Sequence, residues 1–328
     1  NGVDPMTGKK IGIETGDPRN FKTYEELFEA FKKQLHHFVD IKMRGNQFIE
    51  RMYAEYAPAV FLSVLIDDCI KKGKDYNDGG PRYNTNYIQC VGIGTITDSL
   101  SVLKKHVFED KRYTMDEVLD ALHKDFEGYE PMRLTFMNKT PRYGNDDDYA
   151  DSIMKEVFET LFNEIDGRKN TKGGEYHVDM LPTTCHIYFG SVMGASPDGR
   201  KARMPLSEGI SPVQGADRNG PTAVIKSAGK MDHIKTGGTL LNMKFMPKVL
   251  EGEEGIEKLA NLIRTYFRYD AHHIQFNVVD EATLRDAQKH PEKYRDLIVR
   301  VAGYSDYFCD IGKDLQDEII ARTAQETL

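Results

Sequence analysis

TLLNMKF (residues 239–245), GIEKLANLIRTYFRYD (255–270) and HHIQFNVVD (272–280) follow one another through short links. In order they read as strand, helix, strand. Two strands joined through a helix lie parallel, because the chain must be carried back along the helix before it re-enters the sheet. Parallel strands are covered on both faces and read as nearly continuous apolar runs. This stretch indicates an α/β architecture, and its neighbours agree: PTAVIKSAGKM (221–231) reads as a helix before it, with CHIYFGSVMG (185–194) as a strand and SPDGRKA (196–202) as a turn further upstream. Downstream come a helix over 282–288 with Asp280 in capping position, LIVRV (297–301) as the last strand, and KDLQDEIIARTAQ (313–325) as the closing helix.

The first half is helical in texture. Thr23 with Glu26 forms a capping-box pattern, and Tyr24, Leu27, Phe28, Phe31, Leu35, Phe38 and Val39 recur at helical spacing, predicting a long helix towards Tyr56 that Pro58 interrupts. Ala59 to Ile70 reads as a second helix stopped by Lys71, Lys72 and Gly73. DYNDGGPRYN (75–84) is a turn cluster; a helix follows Thr97 and Asp98, another is capped by Thr114 with Glu117, and a third runs from Tyr149 to Ile165.

The 328 residues, 39% hydrophobic and 29% charged, suffice for a large buried core. With 44 Lys and Arg against 52 Asp and Glu, no basic stripe stands out, which argues against a nucleic-acid surface. No run reaches the roughly 20 apolar residues of a membrane helix, and NGVDPMTGKK has no apolar signal-peptide core, so a cytoplasmic protein is expected. Cys69, Cys90, Cys185 and Cys309 are widely spaced, as reduced thiols would be.

Several local patterns invite a function and each has a plainer reading. Gly92 and Gly94 in CVGIGTIT stand where a dinucleotide fingerprint would put its first glycines, but Thr97 replaces the third, and Glu109 or Asp110 would have to hold the ribose from an unsuitable position. A dinucleotide-dependent α/β enzyme is the alternative outside the family named below, testable by cofactor titration. DYNDGG fails the calcium-loop spacing at Gly79, and Asp146, Asp147, Asp148 and Asp151 read as a helix-opening charge run rather than a metal site. His177, His186, His233, His272 and His273 read as structural histidines, with His272 and His273 on opposite faces if the strand is regular. In IVRVAGYSDYFCD (298–310), Val299 and Val301 should point one way and Arg300 the other, and Gly303 reads as a turn glycine with positive φ.

Arg300-Val301-Ala302-Gly303-Tyr304-Ser305 also resembles the signature of the glycyl radical enzymes, the family of pyruvate formate-lyase, glycerol and diol dehydratases, choline lyase and arylacetate decarboxylases. The resemblance covers nearly the whole chain: DYNDGGPRYN with GTITDSL, SPDGRKARMPLSEGISP, NGPTAVIKSAGKMDH, GGTLLNMKF, QFNVVDEATLRDAQKHPEKYRDLIVRVAGY and DLQDEIIART are all similar to the dehydratase branch.

The resemblance implies the C-terminal half of a ten-stranded α/β barrel with surrounding helices. Residues 1–205 would complete the catalytic domain and residues 206–328 form the glycine-radical domain. Gly303 would carry the radical, within a loop supported by Arg300, Val301, Ala302, Tyr304 and Ser305, with Arg300 orienting that loop or meeting the activating enzyme. A Cα radical between an amide nitrogen that donates electron density and a carbonyl that withdraws it flattens without strain only where there is no side chain. The protein itself thus supplies the cofactor, and no metal or organic cofactor is expected on this chain.

A stored radical needs shelter, so the apolar approach LIVRV is expected to deliver Gly303 into the barrel. S-adenosylmethionine and an iron–sulfur cluster would belong to a separate radical-SAM activating enzyme. The family commonly forms homodimers. In the family the glycyl radical takes a hydrogen from a cysteine, whose thiyl radical then attacks the substrate. None of the four cysteines matches that loop; Cys90 in QCVG is the nearest, with Gly92 where the family has an acid. The thiyl cysteine is therefore expected upstream of residue 1, and the chain is expected to be a C-terminal portion, inactive alone. The implied reaction is radical elimination of water from a small hydroxylated substrate. The resemblance favours trans-4-hydroxy-L-proline, with glycerol, propane-1,2-diol or an arylacetate as alternatives. A repair subunit lending its glycine-radical domain is a further, non-catalytic reading, which the length of the chain disfavours.

Overall fold

In the computed structural model, residues 1–181 and 183–327 are described. The helices are α1 (Tyr24–Tyr56), α2 (Val60–Leu65), α3 (Cys69–Lys72), α4 (Ile93–Val102), α5 (Met115–His123), α6 (Glu130–Asn138), α7 (Asp148–Ile165), α8 (Cys185–Ser191), α9 (Pro221–Gly229), α10 (Gly252–Phe267), α11 (Glu281–Lys289) and α12 (Lys313–Ala321). The strands are β1 (Asn86–Gln89), β2 (Tyr176–Asp179), β3 (Leu241–Phe245), β4 (Ile274–Val278), β5 (Ile298–Arg300), β6 (Ser305–Tyr307) and β7 (Ala324–Gln325).

The parallel arrangement holds where it matters. β1 pairs with β2, and β3 pairs with β4 on one side and β7 on the other, all in parallel. A parallel bridge between Met180 and Thr239 joins the chain just after β2 to the chain just before β3. β1 to β4 thus follow one another in chain order with helices in the connections, an open arc of α/β barrel. α4, α7, α9 and α10 share the main core with β1 to β4, in which Phe158, Tyr176, Leu241, Phe245 and Tyr266 are buried. Among the described residues no helix is long and apolar enough to cross a membrane.

The predicted caps are present: the Thr23 and Thr114 hydroxyls accept from the Glu26 and Glu117 amides, and Asp280 accepts from Thr283 N–H. Other expectations are corrected. CHIYFGSVMG contains helix α8, with His186 and Gly190 buried four residues apart. The helix expected over 59–70 is broken, because Asp68 takes φ 76° between α2 and α3. The helix expected after Thr97 starts earlier, at Ile93, because Gly92 turns the chain with φ 87°. LIVRV is not a further parallel strand and is not the last: β5 folds back antiparallel on β6, Arg300 opposite Ser305, and β7 follows.

Candidate active site

β3 and β4 are buried parallel strands whose side chains alternate between two faces. One face, with Leu241, Met243, Phe245, Ile274 and Phe276, joins the main core. The other carries Asn242, Lys244, Gln275 and Asn277, all buried. Burying four polar side chains on one sheet face is costly unless each is paired: Gln275 and Asn277 pair with the Gly303 hairpin, Lys244 with the C-terminal helix, and Asn242 with Gln275, its Nδ2 having no partner among the described residues.

Asn277 brackets the backbone of Arg300: its Oδ1 accepts from Arg300 N–H at 2.7 Å and its Nδ2 donates to Arg300 C=O at 2.8 Å. Gln275 Oε1 accepts from Arg300 Nε at 2.8 Å and from Gly303 N–H at 3.2 Å, while its Nε2 donates to Asn242 Oδ1. Two donors converge on one atom, which fixes that atom as the oxygen. The Arg300 guanidinium wraps the turn, reaching Ser305 Oγ at 3.2 Å and Gly303 C=O at 3.4 Å. Val301 N–H closes the turn onto Tyr304 C=O at 2.8 Å. Gly303 itself has φ 80°, in the left-handed region, and a Cβ built there meets no atom within 4 Å.

Beneath the turn lies a buried ion pair. Arg322 donates to Val301 C=O at 3.0 Å and to both Glu318 oxygens, with Nη2 at 2.8 Å. Burial would push the Glu318 carboxyl up, but Arg322, with His186 Nε2 at 3.6 Å, holds it well below the usual carboxylate range. Lys244 donates to the Ile319 and Ile320 carbonyls at 3.2 and 2.7 Å, and burial pushes its ammonium down to about 8. Asp217 accepts from Thr323 Oγ1 and from Gln325 Nε2, tying down β7 just after Arg322, and burial pushes its carboxyl up to about 6.

Arg300, Val301, Ala302, Gly303, Tyr304 and Ser305 are therefore gathered in one hairpin turn. Val299, Val301 and Ala302 are buried, while Arg300 is half-buried on the opposite side of the strand from Val299, against Gln275. Val299 and Val301 are buried in a separate small core with Leu284, Phe308 and Ile319, while Gly303, Tyr304 and Ser305 stand uncovered by the described residues of this chain. The apolar residues anchor the hairpin from below.

The other candidates are occupied structurally. Gly92 and the start of α4 pack on Ser207, whose Oγ accepts from Thr95 N–H at 3.1 Å, and a Cβ on Gly94 would sit 3.0 Å from that oxygen; the space a pyrophosphate would need is filled. Asp75 accepts from Ala59, Ser63 and Asn77. Asp146, Asp148 and Asp151 converge on Lys230. His233 is held by Thr239 and Ala228, and His177 by Asp166. Among the described residues no group of three His, Cys, Asp or Glu side chains is placed to hold a metal. Burial pushes the Cys90 thiol up to about 12.

Gln275, Asn277, Asn242, Glu318 and Arg322 are the site residues that the sequence reading passed over. The signal of Asn242, Gln275 and Asn277 was available in LNMKF and IQFNV, where polar residues alternate with apolar ones inside strands that ought to be buried on both faces.

Comparison with known proteins places the chain in a family. Residues 1–190 match the pyruvate formate lyase-like family model and residues 206–309 the glycine radical model. The chain is 63% identical to trans-4-hydroxy-L-proline dehydratase of Clostridioides difficile over 99% of its own length and 41% of that protein's. The crystal structure of hydroxyproline dehydratase from the same organism, with trans-4-hydroxy-L-proline bound, superposes with a TM-score of 0.97 over 99% of this chain and 41% of that one. The B12-independent glycerol dehydratase of Clostridium butyricum, in its glycerol-bound form, superposes with a TM-score of 0.95 at 41% identity, again over 99% and 41% of the two chains. The chain thus spans about two fifths of the length of these relatives.

Proposed function

The chain belongs to the glycyl radical enzymes of the pyruvate formate-lyase type, and from that premise we propose that Gly303 carries the radical of a dehydratase acting on trans-4-hydroxy-L-proline. The observation that carries this reading is the Gly303 turn itself. Its N–H and C=O are both held by hydrogen bonds, and no described residue of this chain crowds the place of a Cβ there.

Residues 206–328 act as the glycine-radical domain and residues 1–205 complete the catalytic domain. A separate radical-SAM activating enzyme, which brings the iron–sulfur cluster and S-adenosylmethionine, removes one hydrogen atom from the Gly303 Cα. In turnover a thiol gives its hydrogen atom to the Gly303 Cα, and the thiyl radical takes one from the substrate. Each transfer moves one proton with one electron and leaves the net charge unchanged. The thiol belongs to a cysteine outside these 328 residues. The substrate radical then loses water, and the resulting product radical takes a hydrogen atom back from the thiol, giving the pyrroline carboxylate and a thiyl radical that recovers its hydrogen atom from Gly303. Arg300 orients the turn through its contacts with Gln275, Ser305 and Gly303. A cytoplasmic homodimer is the assembly this reading favours. Identity to the hydroxyproline enzyme, well above that to the glycerol enzyme, supports the choice of substrate.

The test is anaerobic activation of the full-length protein with its activating enzyme, S-adenosylmethionine and a reductant. A glycine-centred doublet in electron paramagnetic resonance is expected, absent in Gly303→Ala, together with loss of hydroxyproline and appearance of the pyrroline carboxylate. A doublet that survives Gly303→Ala removes the assignment. Activated protein that consumes glycerol but not hydroxyproline removes the substrate.

A further inference from the structure

We infer that Gln275 is a positioning residue that sets the electronic character of Gly303, acting on its amide directly and on its carbonyl through Arg300; this rests on Gly303 being the radical residue. A glycyl radical shares its spin between Cα, the amide nitrogen and the carbonyl oxygen. An acceptor on the N–H makes that nitrogen a better electron donor, and a cation on the C=O makes that carbonyl a better acceptor. Both draw spin off the Cα. In this structure the two ends of Gly303 have those two partners: Gln275 Oε1 accepts from its N–H at 3.2 Å, and the Arg300 guanidinium approaches its C=O at 3.4 Å.

The two effects are linked through one atom. The Gln275 oxygen that takes the Gly303 N–H also takes Arg300 Nε at 2.8 Å, so it aims the guanidinium at the carbonyl while it polarises the amide. Proximity to the guanidinium withdraws charge from that oxygen, but the bond is charge-assisted and fixes the geometry more firmly than a neutral one would. Gln275 cannot turn away, because it is 5% exposed and its Nε2 is engaged by Asn242 Oδ1 on the neighbouring strand.

The experiment compares the doublet of the full-length wild type with those of Gln275→Met and Gln275→Glu after anaerobic activation. Gln275→Met removes the acceptor. The fraction of chains carrying radical should fall roughly fivefold, the weight of one hydrogen bond, and the remaining doublet should show a larger α-proton splitting because spin returns to Cα. Gln275→Glu keeps an acceptor, and a stronger one, so its splitting should be smaller than that of the wild type. A Gln275→Met doublet of wild-type yield and splitting overturns the inference. Should Gln275→Met fail to fold, Gln275→Glu decides alone, and a splitting equal to or larger than wild type overturns the inference. A wild type without any doublet removes the assignment of Gly303 instead, so the two failures are distinct.

Discussion

Gly94 and Gly303 both follow an apolar run at a change of chain direction, and both read from sequence as close-packed or turn glycines. Their surroundings are opposite. A Cβ on Gly94 would press on Ser207 and on the Ser211 carbonyl, at 3.0–3.1 Å. A Cβ on Gly303 would meet nothing within 4 Å. Crowding explains the first glycine completely. The second is left with its positive φ, which asparagine also tolerates, and with whatever chemistry its bare Cα performs. Among the described residues the turn is held from beneath by Gln275, Asn277 and Arg322.

If the Gly303 turn is held from beneath, the largest stability effect should come from its foundation. Gln at position 318 would leave Arg322 buried without its carboxylate, and breaking such a pair costs about 3–5 kcal/mol. Denaturant unfolding of Glu318→Gln measures that cost. Hydrogen exchange at Val301 N–H, which bonds to Tyr304 C=O, should accelerate beyond what the global destabilisation explains. Unchanged local exchange would mean that the turn keeps its shape without the pair.

The same foundation should give a pH signature through Asp217. Burial raises its folded-state pKa to about 6 from the ordinary 3.8. The folded chain therefore holds a proton between about pH 4 and pH 6 that the unfolded chain has released. Its contribution to stability is complete below about pH 4, declines as pH rises through 6, and is gone above that, about 2–3 kcal/mol in all. Asp217→Asn cannot titrate, so the wild-type-minus-variant difference in unfolding free energy should fall across that window and be level from pH 7 to pH 8. A flat difference from pH 4 to pH 8 would show that Asp217 is ionised in the fold throughout.

Much of this arrangement was legible in the sequence, and the misses have local causes. Caps at Thr23, Thr114 and Asp280 were readable because the capping bond lies within four residues of chain. β3, α10 and β4 were readable because each pattern is long enough to separate the two periods. CHIYFGSVMG was misread because α8 spans seven residues, too few for periodicity to outweigh its aromatic and β-branched content. β5 was read as one more parallel strand because nothing in LIVRV records that its partner is the segment just beyond Gly303; a four-residue turn fixes that pairing. The role proposed for Gly303 came from family resemblance, since a turn glycine and a radical glycine have the same local sequence physics. The buried polar face was visible as alternation in LNMKF and IQFNV, but its meaning depends on the hairpin and helix that close over it.

The smallest expected effect is the one that tests the comparison itself. Gly94→Ala must force Ser207 or the Ser211 backbone aside, and Ser207 is doubly tied, accepting from Thr95 N–H and donating its own N–H to Thr95 Oγ1 at 2.9 Å. Overpacking of this kind costs about 1–3 kcal/mol. Gly303→Asn enters open space in a backbone conformation that asparagine accepts, so its cost should stay below about 1 kcal/mol. Parallel denaturant titrations give both numbers. The expected pattern is a stability loss with the radical kept in Gly94→Ala, provided the variant is assayed where it remains folded, and a radical lost with stability kept in Gly303→Asn. If Gly303→Asn instead unfolds as readily as Gly94→Ala, then Gly303 too is a glycine demanded by packing, and the openness of its turn has been misjudged. If stability is kept and the doublet is gone, the bare Cα is there for its chemistry.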